Sequence, residues 1–292
     1  MKFFSNPFKK IRCEECGKNY DYILDKCPSC NRLNPEEDPK RRSFASLLPL
    51  GPVREIILFL LGFVALTIVA NIIGVVALFV KAQSLSGAGL TSEEMKTLLN
   101  QYASSSDYSL LVNDLAYTIV FAGMIVFLWK DNVRLLKSFL SYKVLVGLGI
   151  GLAMMLLSGI WGIIADKLGA KTNINQGAVT STVTLSPVLA VLVTGLIAPF
   201  VEELTYRVGA FTFLKRINTA IAYIVIAVLF GLIHIKDFSS LNEWLSYPSY
   251  LIAGFCLCFA YDKFGFSASF SAHALNNLIS VASILLAQGN QQ

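Results

Sequence analysis

Apolar runs of membrane-spanning length recur along this chain of 292 residues, and they constrain its fold more than any other feature. A helix needs about 20 mostly apolar residues to cross a hydrocarbon layer about 30 Å thick. Seven stretches meet or approach that length: 56–80, 110–129, 144–165, 187–213, 220–235, 250–261 and 266–287. The fifth and sixth are the shortest. The composition agrees, with 55% hydrophobic and 15% charged residues. A soluble domain carries about 25% charged residues, so soluble and disordered classes are excluded. A nucleic-acid partner is not expected either, although the net charge is +5. The first run begins too late and runs too long for a cleavable signal peptide.

The placement of Lys and Arg sets the expected orientation. Eighteen lie ahead of the first run or in the loops after the second, fourth and sixth; five lie in the alternate loops. Short cytoplasmic loops are enriched in Lys and Arg, so the N-terminus is expected in the cytoplasm of a bacterial-type cell membrane. Two loop segments carry helix signals. Thr91-Ser-Glu-Glu94 is a capping-box pattern ahead of an outer-loop helix. Val133, Leu135, Leu136, Phe139 and Leu140, interleaved with basic residues, predict a helix on the inner membrane surface.

Four of six cysteines form Cys13-x-x-Cys16 and Cys27-x-x-Cys30, ten residues apart. Each CxxC knuckle delivers two thiolates, and four complete a tetrahedral zinc site. Disulfides are disfavoured in the cytoplasm, and a redox dithiol needs no second pair. Structural Zn2+ is therefore expected in a ribbon over 1–33, since so short a segment cannot fold by apolar burial alone. A charged, Pro-rich linker over 34–54 carries Lys40-Arg41-Arg42, suited to anionic lipid, and the ribbon is available to a cytoplasmic protein partner. Cys256 and Cys258 read as small apolar residues.

Ionisable residues inside membrane spans are rare and mark function by default. Asp114 lies near a span end, equally compatible with interface and interior. Glu202 and Glu203 lie well inside the fourth run, and Arg207 stands four residues after Glu203, on one helix face. Pro199 should kink that helix just ahead of the pair. The only two histidines, His234 and His273, are in late apolar runs, and Asn277 shares a face with His273. A hydrogen-bond network holding helices together would need no such charge, because Ser, Thr and Asn serve as well. A carboxylate beside an imidazole can deprotonate water, and an imidazole with an amide can stabilise an oxyanion. The residues suit amide hydrolysis by activated water.

Glu202-Glu203-x-x-x-Arg207, Phe230-x-x-x-His234 and His273-x-x-x-Asn277, in that order, resemble the CPBP family of CAAX proteases and bacteriocin-processing or immunity proteins. The resemblance covers about 140–287 of a membrane domain expected over 55–292. Val208 stands where many members place Gly, and Gly209 follows. The resemblance implies an all-α integral membrane protein, here of about seven transmembrane helices preceded by the small zinc ribbon. It implies a glutamic endopeptidase in which Glu202 and His234 activate water. His273 and Asn277 would form the oxyanion site, and Glu203 and Arg207 would orient and neutralise the first glutamate. The residues alone leave open which glutamate is the base. The active site is expected to be metal-free, since no HExxH helix is present. Substrates would be membrane-associated proteins or peptides, such as bacteriocin or pheromone precursors. The alternative is a non-catalytic adaptor or bacteriocin-immunity protein acting through its ribbon.

Overall fold

A computed structural model describes residues 5–34 and 39–289; the parts of the expected segments at 1–4, 35–38 and 290–292 lie outside them. The chain begins with a hairpin of β1 (Lys10–Arg12) and β2 (Asn19–Asp21), antiparallel with Ile11 opposite Tyr20. The two CxxC knuckles turn alike. Gly17 N–H donates to Cys13 O and Asn31 N–H to Cys27 O, both at 2.9 Å. Gly17 (φ 70°) and Asn31 (φ 61°) follow the second cysteine of each knuckle in the left-handed region, where glycine and asparagine are the tolerated residues.

After the short α1 (Pro39–Arg42), the chain is helical almost throughout. Long helices are α2 (Pro52–Leu85), α4 (Ser106–Phe127), α6 (Lys143–Lys167), α8 (Pro187–Ile217), α10 (Leu241–Phe264) and α11 (Phe266–Gly289). These six are long and apolar enough to cross a membrane. The fifth expected span is α9 (Thr219–Leu232), shorter than the sequence suggests. Its 14 residues rise about 21 Å at about 1.5 Å each, less than the hydrocarbon thickness. It still joins the two faces. Asn218 caps its start beside Arg216, and Lys236 beyond its end donates its N–H to Glu243 at the start of α10.

Shorter helices lie in the loops: α3 (Ser92–Ala103), α5 (Asn132–Ser138) and α7 (Ile174–Leu185). The expected capping box forms at α3. Glu94 N–H donates to Thr91 Oγ1 at 3.3 Å, and Thr91 N–H donates to Glu94 Oε2 at 2.8 Å. The Thr91 hydroxyl also donates to Glu94 Oε2 at 2.7 Å, and it and the Thr91 N–H hold the Glu94 carboxyl below its ordinary range. The helix expected from the 133–140 pattern is α5. α7 was not anticipated, because its Asn, Gln and Thr content reads as loop.

Small residues bring helices close. A Cβ on Gly147 would lie 2.3 Å from Ala268 O, and one on Gly151 would lie 2.9 Å from Ala272 O. So α6 and α11 pack backbone to backbone, the small-residue mode of membrane bundles. The segment expected as a linker is a packed strap. Phe44, Leu47 and Leu48 are buried in one core with Met124, Tyr206 and Phe211. Lys40 Nζ donates to Arg216 O at 2.6 Å, and Arg41 lies 3.9 Å from Asp25.

Candidate active site

α8 carries the acidic pair, and Pro199 shapes it differently from a simple kink. Proline lacks an N–H and crowds the carbonyl four residues back. The helix answers with wide π-type turns over Ala190–Ile197 and Glu203–Phe211, separated by a short α-helical stretch, Ala198–Glu202. Thr212 Oγ1 donates to Arg207 O, five residues back, at 3.0 Å. Such turns are rare and concentrate at functional sites. Gly209 sits in the second one. A Cβ there would lie 2.8 Å from Phe59 N and 3.0 Å from Glu55 O. The glycine that follows Val208 is thus the one against which α2 packs, and Val208 itself is fully buried.

The two glutamates diverge. Glu202 lines a cavity of about 560 Å³ together with Tyr117, His234, His273 and Asn277. Glu203 is fully buried and does not line it. Glu203 Oε1 accepts from His273 Nδ1 at 2.8 Å and pairs with Arg207 Nη1 at 3.1 Å. The Arg207 guanidinium lies over the Phe230 ring, 4.4 Å from its centroid, where a cation is attracted to the π face. His273 Nε2 points the other way and lies 3.7 Å from Glu202 Oε2. His273 therefore bridges the two carboxylates.

His234 Nδ1 donates to Phe230 O at 2.6 Å. That bond makes Nδ1 the protonated nitrogen and leaves the Nε2 lone pair free in the neutral ring. The imidazole stacks on Tyr250, with centroids 4.3 Å apart and planes at 16°. Asn173 and Asn175 each donate to the Tyr250 hydroxyl at 3.2 Å. Asn277 Nδ2 donates to Thr194 O at 2.9 Å.

All six residues singled out in the sequence thus lie in one constellation: Glu202, His234, His273 and Asn277 line the cavity, and Glu203 and Arg207 stand behind them. Sequence reasoning missed Tyr117, whose hydroxyl donates to Glu202 Oε1 at 2.8 Å. It also missed Tyr250 and Thr194. A tyrosine inside an apolar run needs a partner for its hydroxyl, and that was the available signal for Tyr117. Asp114 is buried on α4 and does not line the cavity.

The four ribbon cysteines form a second site. Their sulfurs lie within 4.8 Å of one another, with Cys13–Cys30 at 3.5 Å and Cys16–Cys27 at 3.6 Å. Tetrahedral Zn–S bonds of about 2.3 Å require sulfurs about 3.8 Å apart, so the set fits one metal ion. Backbone N–H groups of Cys16 and Glu15 lower the Cys13 thiol against the effect of burial. Burial raises the Cys27 thiol, but N–H groups of Ser29 and Cys30 outweigh it and bring it to about 6. Thiolates are the metal-binding form.

Residues 184–279 match the family model described as Type II CAAX prenyl endopeptidase Rce1-like. UPF0177 protein YvdC of Lactococcus lactis is 27% identical over 151 residues, 51% of this chain and 55% of that protein. An uncharacterized protein of Mycoplasma capricolum is 30% identical over 203 residues, 64% of this chain and 58% of that protein. The chain thus spans little more than half the length of these relatives. No solved structure matches it. The matched segment holds Glu202, Glu203, Arg207, His234, His273 and Asn277. With its six apolar helices, the chain is an integral membrane protein whose residues 184–279 match the Rce1-like family model.

Proposed function

We propose that the protein is an intramembrane endopeptidase that hydrolyses peptide bonds of membrane-associated substrates with water activated by Glu202 and His234. The supporting observation is the division of labour in the acidic pair: one carboxylate lines the cavity, and its neighbour is held behind it by Arg207 and His273. Water sits between Glu202 and the free Nε2 of His234. Its oxygen attacks the scissile carbonyl carbon while Glu202 takes the proton. The C=O electron pair moves onto oxygen. Collapse of that oxyanion breaks the C–N bond, and Glu202 returns the proton to the leaving amine.

Charge balance supports the roles of the other groups. Two carboxylates and one guanidinium leave an excess negative charge in a buried site, which is costly. An imidazolium at His273 makes the sum neutral and presents Nε2–H to the oxyanion, beside the Asn277 amide. A single oxyanion donor is worth about 10²–10³ in rate, and a positioned acid–base group about 10²–10⁴. The Cys13, Cys16, Cys27 and Cys30 set would hold Zn2+, which supplies folding energy to the ribbon.

The test compares membrane and secreted peptides from cells carrying wild type, Glu202→Ala or His234→Ala. A precursor should accumulate in both variants at wild-type protein levels. Unchanged processing in both rejects the protease. If Glu202→Ala complements a deletion while Cys13→Ser does not, the ribbon-based adaptor or immunity reading replaces it.

A further inference from the structure

The exposed residues of the cavity lining gather at one end of the bundle, and the helix directions identify which membrane face that end meets. Among the described residues the six long helices and the shorter α9 run between the two ends of the bundle, and the N-terminal ribbon marks one end. The ribbon and strap pack against the C-terminal ends of α8 and α10. Asp21 pairs with Arg216 Nη1 at 2.8 Å, and Ser46 Oγ donates to Asp262 O at 2.7 Å. α4 ends on this face, since Arg54 pairs with Asp131 at 2.7 Å. The starts of α4, α7 and α10 and the end of α9 therefore lie at the opposite face.

The mouth residues belong to that opposite face. Ser106 and Ser109 open α4, Asn175 and Gln176 open α7, and Lys236 follows α9; all five line the cavity. Towards the ribbon the cavity is closed. Met154, Phe230 and Leu257 form its inner wall and are buried. Behind them Leu204, Phe211 and Tyr261 are fully buried in the main core. No polar path is left between Glu202 and the ribbon face among these residues.

We infer that the site takes its substrate from the face opposite the ribbon, which is the outer face. The substrate is accordingly an exported or externally presented polypeptide segment, uncharged around its scissile bond. The access side rests on geometry and charge; that what enters is a substrate rests on the protease reading. The 18 to 5 bias of Lys and Arg between the two sets of loops makes the ribbon face cytoplasmic. The uncharged character follows from the lining. Between the mouth and Glu202 the polar groups are hydroxyls and amides, including Asn113, Thr182 and Ser280. These suit the N–H and C=O groups of an extended peptide. A charged side chain drawn among them would lose its hydration without gaining a partner. Lys236, exposed at the rim, meets only the part of the chain that stays outside.

Cysteine labelling tests the access side without needing catalysis. Ser109→Cys at the mouth, Ser280→Cys between the mouth and Glu202, and Lys137→Cys on the ribbon face are made singly. The background is the full chain with Cys256→Ala and Cys258→Ala, and label is read on the peptide that carries the introduced cysteine, apart from the ribbon cysteines. A membrane-impermeant maleimide is applied to intact and to permeabilised cells. Ser109→Cys and Ser280→Cys should label equally in both, and Lys137→Cys at least 10-fold more after permeabilisation. Labelling of Ser109→Cys only after permeabilisation overturns the inference. So does a Ser280→Cys that stays unlabelled while Ser109→Cys reacts, because the cavity would then not be reached from that mouth. The same labelling in a Glu202→Ala background separates this result from the protease test. If labelling holds and Glu202→Ala leaves processing intact, the access side stands and the enzymatic reading falls. In sided vesicles, internally quenched peptides then test the substrate class. Cleavage should favour an uncharged centre over a Lys or Asp centre by at least 10-fold, and only from the outer face. Equal cleavage of charged and uncharged peptides overturns the uncharged preference.

Discussion

Tyr117 reaches across the bundle to hold Glu202, the glutamate that lines the cavity, donating to its Oε1 at 2.8 Å. A hydrogen bond to a charged group is worth about 1.5–3 kcal/mol. Tyr117→Phe removes it without opening a void, so Glu202 is left free to rotate. The expected result is a loss of about 10-fold or more in turnover with little change in KM. A purely structural role would instead lower the amount of folded protein and leave turnover per folded molecule in place. At the same scale Glu203 and Arg207 illustrate a limit of sequence reading. The i, i+4 spacing announced their pairing. It did not announce that His273 would join Glu203, because that contact joins α8 to α11.

At the scale of elements, the site depends on helices that approach more closely than ordinary side chains allow. Gly209 lets α2 rest on the π-turn of α8, and Gly147 lets α6 rest on α11. Overpacking a well-packed contact costs about 1–3 kcal/mol. Backbone atoms cannot yield as a flexible side chain can, so Gly209→Val should fall at the upper end of that range or beyond. Thermal unfolding in detergent checks this, with Gly149→Val as the control, since a Cβ on Gly149 meets nothing within 4 Å. Equal unfolding temperatures for the two variants contradict the close approach. The capping box of α3 and the amphipathic α5 were legible because local rules suffice for them. The π-turns of α8 were not legible. A proline predicts a disturbance, and only the surrounding packing decides whether the helix kinks or widens.

At the scale of the whole molecule, the ribbon is fastened to the membrane core by buried charge. Arg216 is fully buried and makes two bonds to Glu55, at 2.6 Å and 2.7 Å, and a third contact to Asp21 of the ribbon. Lys215 pairs with Asp262 nearby. Removing one member of such a pair strands the other and costs about 3–5 kcal/mol. Metal removal acts on the same joint. Chelation, or Cys13→Ser, should release the metal and unfold residues 5–34. Asp21 is then lost to Arg216, and trypsin should cut within the ribbon while the helices stay protected. Metal content and limited proteolysis check this together. A protease-resistant ribbon in metal-free protein would contradict it.

By itself the sequence determined the class of the molecule. The hydrophobic runs, the two CxxC knuckles and the charged residues stranded in apolar segments are local patterns, and each carries its physical reason within a few residues. It also named Glu202, Glu203, Arg207, His234, His273 and Asn277, because a charge in hydrocarbon is too costly to be incidental. Only the tertiary structure decided which glutamate faces the cavity. It decided that Tyr117 and Tyr250 complete the site, and that the supposed linker is a buried strap. It also decided that the cavity mouth lies away from the ribbon. Those facts depend on contacts between residues about 70 to 170 positions apart, such as His273 with Glu203 or Arg216 with Glu55. No periodicity or spacing within a single segment encodes them.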